Sequence, residues 1–260
     1  MKHLEDIPAS DLLQPGLCKA QADESVCLDA FITQHTEQIV VGRELELAKL
    51  INALLQTSES HGRVLFVTGE PGMGKSTLVA EFIYRMQNQH PTYIAARGRC
   101  IEQYGTGEAY GPFLDALAGL LFGPHREVVA RLLRTYAPTW CLQFPAVFNS
   151  PALLEQLRAE TIGATKQRML REMGDMLEAL ATNRTLVIWL EDLHEADAPS
   201  IDLLRYLSGR IGSRALLMIG TFRPAELNVR NHPLNKHKLE MEAHNQCEEI
   251  RLACLTEDAI

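Results

Sequence analysis

The chain has 260 residues, of which 46% are hydrophobic and 22% are charged, a composition typical of a globular protein with enough length for a buried core. Its formal net charge of −8 argues against direct nucleic-acid binding, because nucleic-acid-binding surfaces are usually basic. No apolar run approaches the roughly 18 residues that cross a membrane, the first residues do not form a signal peptide, and the cysteines lack zinc-binding spacing. We therefore expect a cytoplasmic protein with reduced thiols and no membrane contact.

The first part of the chain carries little information. Residues 1–36 mix acidic, polar and small apolar residues, and we interpret them as a leader or linker that precedes one domain at residues 37–260. A helix is predicted just after Gly42 and Arg43, because leucine and isoleucine recur near helical spacing. These apolar residues are Leu45, Leu47, Leu50, Ile51, Leu54 and Leu55. The spacing indicates a core-facing helix and by itself gives Gly42 and Arg43 no role.

The most informative stretch is RVLFVTGEPGMGKST at residues 63–77. Its apolar run predicts a buried strand at 64–68, the pattern from Lys75 onward predicts a helix, and the glycines between them fit the G-x-x-x-x-G-K-[ST] spacing of a phosphate-binding P-loop. Such a loop closes backbone N–H groups around phosphate oxygens, with the positive end of the helix behind them. A glycine-rich turn that arises by chance would rarely also lie between a strand and a helix.

The P-loop spacing assigns a role to each polar side chain in it. Lys75 brings a positive charge to the β- and γ-phosphates of a nucleotide, and the Ser76 hydroxyl can coordinate Mg²⁺. The predicted nucleotide-binding residues are Gly69, Glu70, Pro71, Gly72, Met73, Gly74, Lys75, Ser76 and Thr77.

The middle of the chain is mostly helical in pattern. A second strand is predicted at 92–96, followed by a glycine-rich loop and by helical segments at 114–122 and 126–137. Residues 138–150 cannot be assigned, whereas 166–181 forms an amphipathic pattern whose methionines are typical of core packing.

A third strand is predicted at 186–190, where five consecutive apolar residues end in Glu191 and Asp192. An apolar strand of this kind delivers its carboxylates beside a P-loop in a Walker-B element. One carboxylate then holds Mg²⁺, and the next can polarise the attacking water. The alternative is an exposed acidic pair at a strand end, which is common by itself.

The last third of the chain predicts a helix at 198–211 and two further strands, at 215–221 and 250–255. Arg223 follows the first of these strands, where an arginine can contact a γ-phosphate, although a surface arginine is equally compatible with the spacing. Residues 256–258 are typical of a helix N-terminus, and since the chain stops there we expect it to be a fragment of a longer protein.

Six segments together resemble the STAND-type AAA-like ATPases, which are nucleotide-switch modules of large bacterial transcription regulators, adenylate cyclases and kinases and are related to the origin-recognition ATPases. The resemblance covers about residues 38–260. The matching segments are VVGRELEL (40–47), GEPGMGKST (69–77), GRCIEQYGTGEAYGPF (98–113), EDLHEAD (191–197), GTFRPAEL (220–227) and EIRLACLTEDA (249–259).

The resemblance implies an α/β fold of the additional-strand P-loop class, with a five-stranded parallel sheet in the order 5-1-4-3-2 flanked by helices. It places Gly42 and Arg43 near the base and ribose, gives Glu191 to Mg²⁺ and Asp192 to the attacking water, and makes Arg223 a sensor arginine. The chain departs from the family by having Glu191 in place of aspartate and Glu195 in place of tryptophan. The family's helical lid and winged-helix region would follow residue 255, and we expect both to be missing from this chain.

These observations lead to an expected function. We expect an ATP-binding regulatory module that binds Mg²⁺ and ATP, hydrolyses ATP slowly and acts on an output domain or partner protein, with oligomerisation compatible with this role. The alternatives are an oligomeric AAA-type ATPase that acts on nucleic acid, a non-hydrolysing nucleotide-binding scaffold, and a small-molecule kinase. The first would need a neighbour's arginine finger and a basic surface, and the last would need an acceptor site that the sequence does not reveal.

Overall fold

The fold is built on a parallel β-sheet, seen in a computed structural model that describes residues 42–59, 62–89, 92–101, 108–182, 184–229 and 231–254. The strands are β1 (Arg63–Thr68), β2 (Ile94–Arg99), β3 (Leu186–Glu191), β4 (Leu216–Phe222) and β5 (Cys247–Arg251). They are ordered β2-β3-β4-β1-β5, and every neighbouring pair is parallel. This is the predicted order read from the other edge, so the predicted fold class is confirmed. The predicted leader at 1–36 and the helix start at 256–258 lie outside the described residues.

Helices cover both faces of the sheet. They are α1 (Glu44–Ser58), α2 (Lys75–Gln89), α3 (Gly111–Phe122), α4 (Arg126–Tyr136), α5 (Pro138–Cys141), α6 (Pro151–Thr161), α7 (Lys166–Leu180), α8 (Ala198–Ser208), α9 (Pro224–Val229) and α10 (Pro233–Ala243). On β1, Leu65 and Val67 face a core shared with α1 and α2, whereas Val64 and Phe66 face a larger core shared with the later helices. The alternation follows from the two-residue period of a strand.

The position of each strand in the sheet explains how accurately the apolar pattern predicted its boundaries. β1, β3 and β4 are central and buried on both faces, and they appear in the sequence as continuous apolar runs. β5 is an edge strand that starts at Cys247 and carries charged residues, so the apolar criterion placed it too late, at 250–255. β2 was predicted at 92–96 but spans Ile94–Arg99. The prediction ended too early because the last residues of the strand include the charged Arg97 and Arg99. Both arginines reach the candidate site.

Between β2 and β3 the chain inserts α3 to α7, which pack on one face of the sheet. The unassigned stretch 138–150 contains α5, where Trp140 is fully buried and its indole Nε1 donates to the carbonyl of Met169 at 3.0 Å. Helix α6 was not predicted at all. A Cβ on Gly98 would lie 1.7 Å from the carbonyl oxygen of Pro112, so glycine is what lets α3 approach β2 this closely. Within the described ranges, none of the helices is both long enough and apolar enough to span a bilayer.

Candidate phosphate-binding site

The loop between β1 and α2 has the backbone shape of an anion cradle. Gly72 and Gly74 both have φ of +80°, in the left-handed region that favours glycine. A Cβ at either position would meet nothing within 4 Å, so the backbone conformation rather than crowding requires glycine. The amide of Met73 donates to the carbonyl of Glu70 at 3.3 Å, and α2 begins directly after the loop. The first turn of α2 therefore presents N–H groups and the positive end of its dipole to the loop.

Lys75 lies within this cradle. Its ammonium donates to the carbonyl oxygens of Gly69 at 2.8 Å and Glu70 at 3.1 Å, and only 7% of the residue is exposed. Burial lowers the pKa of Lys75, the nearby charge of Arg223 lowers this pKa further, and Asp192 and other carboxylates oppose the shift. The loop lysine thus lies in the field of residues that follow β3 and β4.

Ser76 and Glu191 are in direct contact. The Ser76 hydroxyl donates to Glu191 Oε1, although the two residues are 115 positions apart in the sequence. Glu191 ends β3 and is 3% exposed. The two predicted metal-coordinating residues therefore meet at the carboxyl edge of the sheet and offer the oxygen ligands that Mg²⁺ prefers.

The other oxygen of Glu191 is held by two arginines that the sequence analysis did not identify. Arg97 donates to Glu191 Oε2 through Nη2 and through Nε at 3.1 Å, and the Nε of Arg99 lies 3.3 Å from the same oxygen. Arg97 also lies over the ring of Trp189, 4.6 Å from its centroid. Burial alone would raise the pKa of Glu191, but Arg97, the Ser76 hydroxyl and Arg99 together lower it, so the carboxylate stays charged. The available signal was the R-G-R alternation in a strand next to β3.

Asp192 follows β3 in a left-handed conformation with φ of 58°. Its backbone N–H donates to the Thr221 hydroxyl at 3.1 Å, which ties the ends of β3 and β4 together. Its side chain is partly exposed, and its charge raises the pKa of Lys75. Both acidic residues therefore lie at the same sheet edge as the P-loop, with the first enclosed and the second accessible.

Arg223 follows β4 and is paired with a residue on α9. Its Nη1 donates to Glu226 Oε1 at 2.6 Å, and this hydrogen bond is the main reason that the pKa of Arg223 is raised. The second oxygen of Glu226 lies 3.2 Å from His194 Nε2. Glu226 and His194 were not singled out from the sequence, although the spacing of Arg223 and Glu226 on a helix start would allow their pairing.

Gly42 and Arg43 lie at the other side of the loop. Gly42 has φ of 75°, and its amide donates to Glu44 Oε1 at 3.2 Å. The Arg43 side chain is buried and donates through Nη2 to the carbonyls of Met73 at 3.3 Å and Ala253 at 2.6 Å. Arg43 therefore links the P-loop to the segment after β5, and a role near base and ribose stays a prediction.

A parallel sheet in this order, with a P-loop after its first strand and an acidic pair after its third, defines a P-loop nucleoside triphosphatase domain. The chain belongs to the AAA ATPase domain family, whose family model matches residues 39–219.

Several solved structures match the chain at low sequence identity. The Walker-type ATPase PABY2304 of Pyrococcus abyssi is 16% identical with a TM-score of 0.40, and the match covers 85% of this chain and 55% of that one. A chain of the Drosophila ORC bound to DNA is 10% identical with a TM-score of 0.41, covering 88% of this chain and 94% of that one. A chain of Drosophila ORC bound to GC-rich DNA and Cdc6 is 12% identical with a TM-score of 0.42, covering 94% and 68%. The chain thus spans about half the length of the Pyrococcus protein. Among curated proteins, none matches the sequence.

Proposed function

We propose that this AAA ATPase domain binds Mg²⁺ and ATP at residues 69–77 and acts as a slowly hydrolysing nucleotide switch of the STAND type, in a signalling or transcription-regulating protein. The observation that carries the proposal is the contact between Ser76 and Glu191 beside Lys75. It brings the end of β3 to the P-loop and concentrates charge at one edge of the sheet. Burying a charged carboxylate costs free energy unless hydrogen-bond partners compensate for its lost hydration. Packing alone therefore does not explain why Glu191 is buried at the end of β3.

The residues present fit a Mg²⁺-bound triphosphate. Lys75 and the N–H groups of the loop would bind the phosphates, and the Ser76 hydroxyl and Glu191 carboxylate would hold the cation. When bound, Mg²⁺ neutralises the negative charge of the β- and γ-phosphates. Asp192 is the accessible carboxylate next to this position, and we assign it the orientation of the attacking water. Glu191 is only 3% exposed and already paired with Arg97, so Asp192 fits that role better.

The switch in this proposal depends on the γ-phosphate. Arg223 follows Phe222, which pairs with Thr68 at the start of the P-loop, and its charge lowers the pKa of Lys75. An anion bound by Lys75 would therefore also attract Arg223. ATP and ADP would therefore leave Arg223 with different partners, and the difference would pass through α9 to an output domain or partner protein. Slow turnover fits this role, because a switch must persist in each state.

A thermal melt with and without Mg²⁺ and ATP tests the nucleotide site. Ligand at 100 times its dissociation constant adds about 2.7 kcal/mol of stability, which corresponds to roughly 5–10 °C in the melting midpoint of a domain of this size. We expect this rise in the wild type and in the Lys49→Ala control, where the lysine is exposed on α1. Lys75→Ala should show no rise. An equal rise in Lys75→Ala would overturn the phosphate assignment.

A further inference from the structure

We propose that Glu226 and His194 are positioning residues that hold Arg223 away from the γ-phosphate and so set how strongly the domain prefers ATP over ADP. The inference rests on the proposed function, in which Arg223 contacts the γ-phosphate of bound ATP.

The first step is the pairing of Arg223 with Glu226. Their side chains are 2.6 Å apart at the start of α9, and they are 34% and 29% exposed. An ion pair that is this accessible to water shifts an equilibrium about two- to fivefold. The pair is therefore weak enough for a phosphate to break and strong enough to change an affinity measurably. The Nε of Arg223 is buried without a hydrogen-bond partner among the described residues, so its donors are not all satisfied by Glu226.

The second step is the fixing of Glu226 by His194. His194 is 2% exposed, its Nε2 lies 3.2 Å from Glu226 Oε2, and its Nδ1 has no hydrogen-bond partner among the described residues. A proton on Nδ1 would be an unpaired buried donor, so the neutral ring carries its proton on Nε2 and donates it to Glu226. Burial lowers the pKa of His194, with Glu226 and Asp192 opposing, which keeps the ring neutral. One oxygen of Glu226 is thus bound by His194 and the other by Arg223.

A metal site is the rival explanation for this cluster. One ligand atom each from His194, Glu195 and Glu226 lies within 4.8 Å of the others. A metal-bound histidine, however, almost always donates its second ring N–H to an acceptor, and the Nδ1 of His194 has none in the described parts of the chain. The cluster therefore fits a hydrogen-bonded clamp better than a metal centre.

Glu226 and the γ-phosphate of ATP compete for Arg223. Phe222 pairs with Thr68 in the sheet, so Arg223 comes next to the start of the P-loop, and it is also in hydrogen-bond contact with Glu226. Only ATP has a γ-phosphate that can take Arg223 from Glu226. Breaking the Arg223–Glu226 pair therefore reduces the affinity for ATP and leaves the affinity for ADP unchanged, because a ligand shifts an equilibrium only by its differential interaction with the two states.

The test is the ratio of ATP to ADP affinity, measured by calorimetry with Mg²⁺ present. Glu226→Gln should raise this ratio about two- to fivefold through ATP alone. His194→Met should raise it in the same direction, whereas His194→Gln, whose amide can donate to Glu226, should keep the wild-type ratio. Glu195→Gln is the matched control, because it removes a carboxylate 3.9 Å from His194 and leaves the Arg223–Glu226 hydrogen bond in place. It should change the ratio less than Glu226→Gln does.

Arg223→Ala separates the clamp from the proposed function. If this variant retains the wild-type ratio, Arg223 does not sense the γ-phosphate and that part of the proposed function fails. If the ratio falls in Arg223→Ala but Glu226→Gln leaves it unchanged or lowers it, the sensor stands and the clamp is wrong. Glu226→Gln should have no effect in the Arg223→Ala background, and an undiminished effect there would also overturn the clamp. Wild-type ADP affinity in the Glu226 and His194 variants shows that the fold is intact.

Discussion

Arg97 and Glu191 form a buried ion pair at the carboxyl ends of β2 and β3, with side-chain exposures of 8% and 3%. The guanidinium is bonded to one carboxylate oxygen and packs on Trp189, while the other oxygen accepts the Ser76 hydroxyl. The predicted magnesium residue is therefore also part of the core. Any change at either residue alters both the stability of the sheet edge and the charge of the candidate site.

Removing Arg97 should strongly destabilise the domain. Arg97→Met leaves Glu191 charged and buried without its main partner, and breaking a buried pair from one side costs about 3–5 kcal/mol. Denaturant unfolding measures this free energy. Arg99→Met is the matched control, because Arg99 is 53% exposed and contacts the same oxygen at 3.3 Å; its loss should cost about 1 kcal/mol or less. The double variant Arg97→Met/Glu191→Gln should recover part of the stability that Arg97→Met loses. If its loss equals the sum of the losses of the two single variants, the pairing is contradicted.

The sequence predicted what depends on short spacing and missed what depends on distant contacts. The P-loop could be identified because its chemistry needs fixed neighbours, and the central strands because burial on both faces leaves a continuous apolar run. Arg97 was missed because its charge ended the predicted strand, and its partner is 94 positions away. The bond from Arg43 to Ala253 joins residues 210 positions apart, and no local pattern indicates it.

Asp192→Asn should keep nucleotide binding and lose hydrolysis. Asn tolerates the left-handed backbone at this position, so the fold should be unaffected. The amide cannot accept a proton from water, and loss of a general base typically lowers the rate by about 10²–10⁴-fold. Phosphate release under saturating ATP, with affinity measured in parallel, checks this. Turnover equal to the wild type would assign the base to another group.

Acid should destabilise the domain through His194. Because burial lowers the pKa of His194 in the folded state, the unfolded chain binds a proton more readily. Its contribution to stability is therefore complete above the ordinary histidine pKa of about 6.5 and is lost as the pH falls below that value toward the folded-state pKa. Unfolding free energies at pH values from about 8 to 5 should fall less steeply in His194→Gln than in the wild type. Parallel profiles would show that folding does not lower the pKa of His194.

Arg43→Ala should weaken ATP and inorganic triphosphate binding by the same factor. Arg43 donates to the carbonyl of Met73 within the P-loop, so its loss loosens the phosphate cradle rather than a contact with the base. Removing a charged hydrogen-bond donor of this kind lowers the stability of the fold by about 1.5–3 kcal/mol. The affinity for phosphate falls by less, because only the distortion of the P-loop affects binding. Competition of both ligands against a fluorescent nucleotide, with Mg²⁺ present, measures the two effects side by side.

The two ligands distinguish the two roles of Arg43. Triphosphate has no base or ribose, so a variant that loses ATP affinity and retains triphosphate affinity would place Arg43 at the nucleoside instead. Glu46→Gln is the matched control, because it removes the ion pair that Arg43 makes on α1 at 3.2 Å and leaves the bond to Met73 in place. This control should bind both ligands as the wild type does. If Arg43→Ala weakens both ligands equally and Glu46→Gln weakens neither, Arg43 acts by supporting the P-loop, because both ligands bind there through their phosphates.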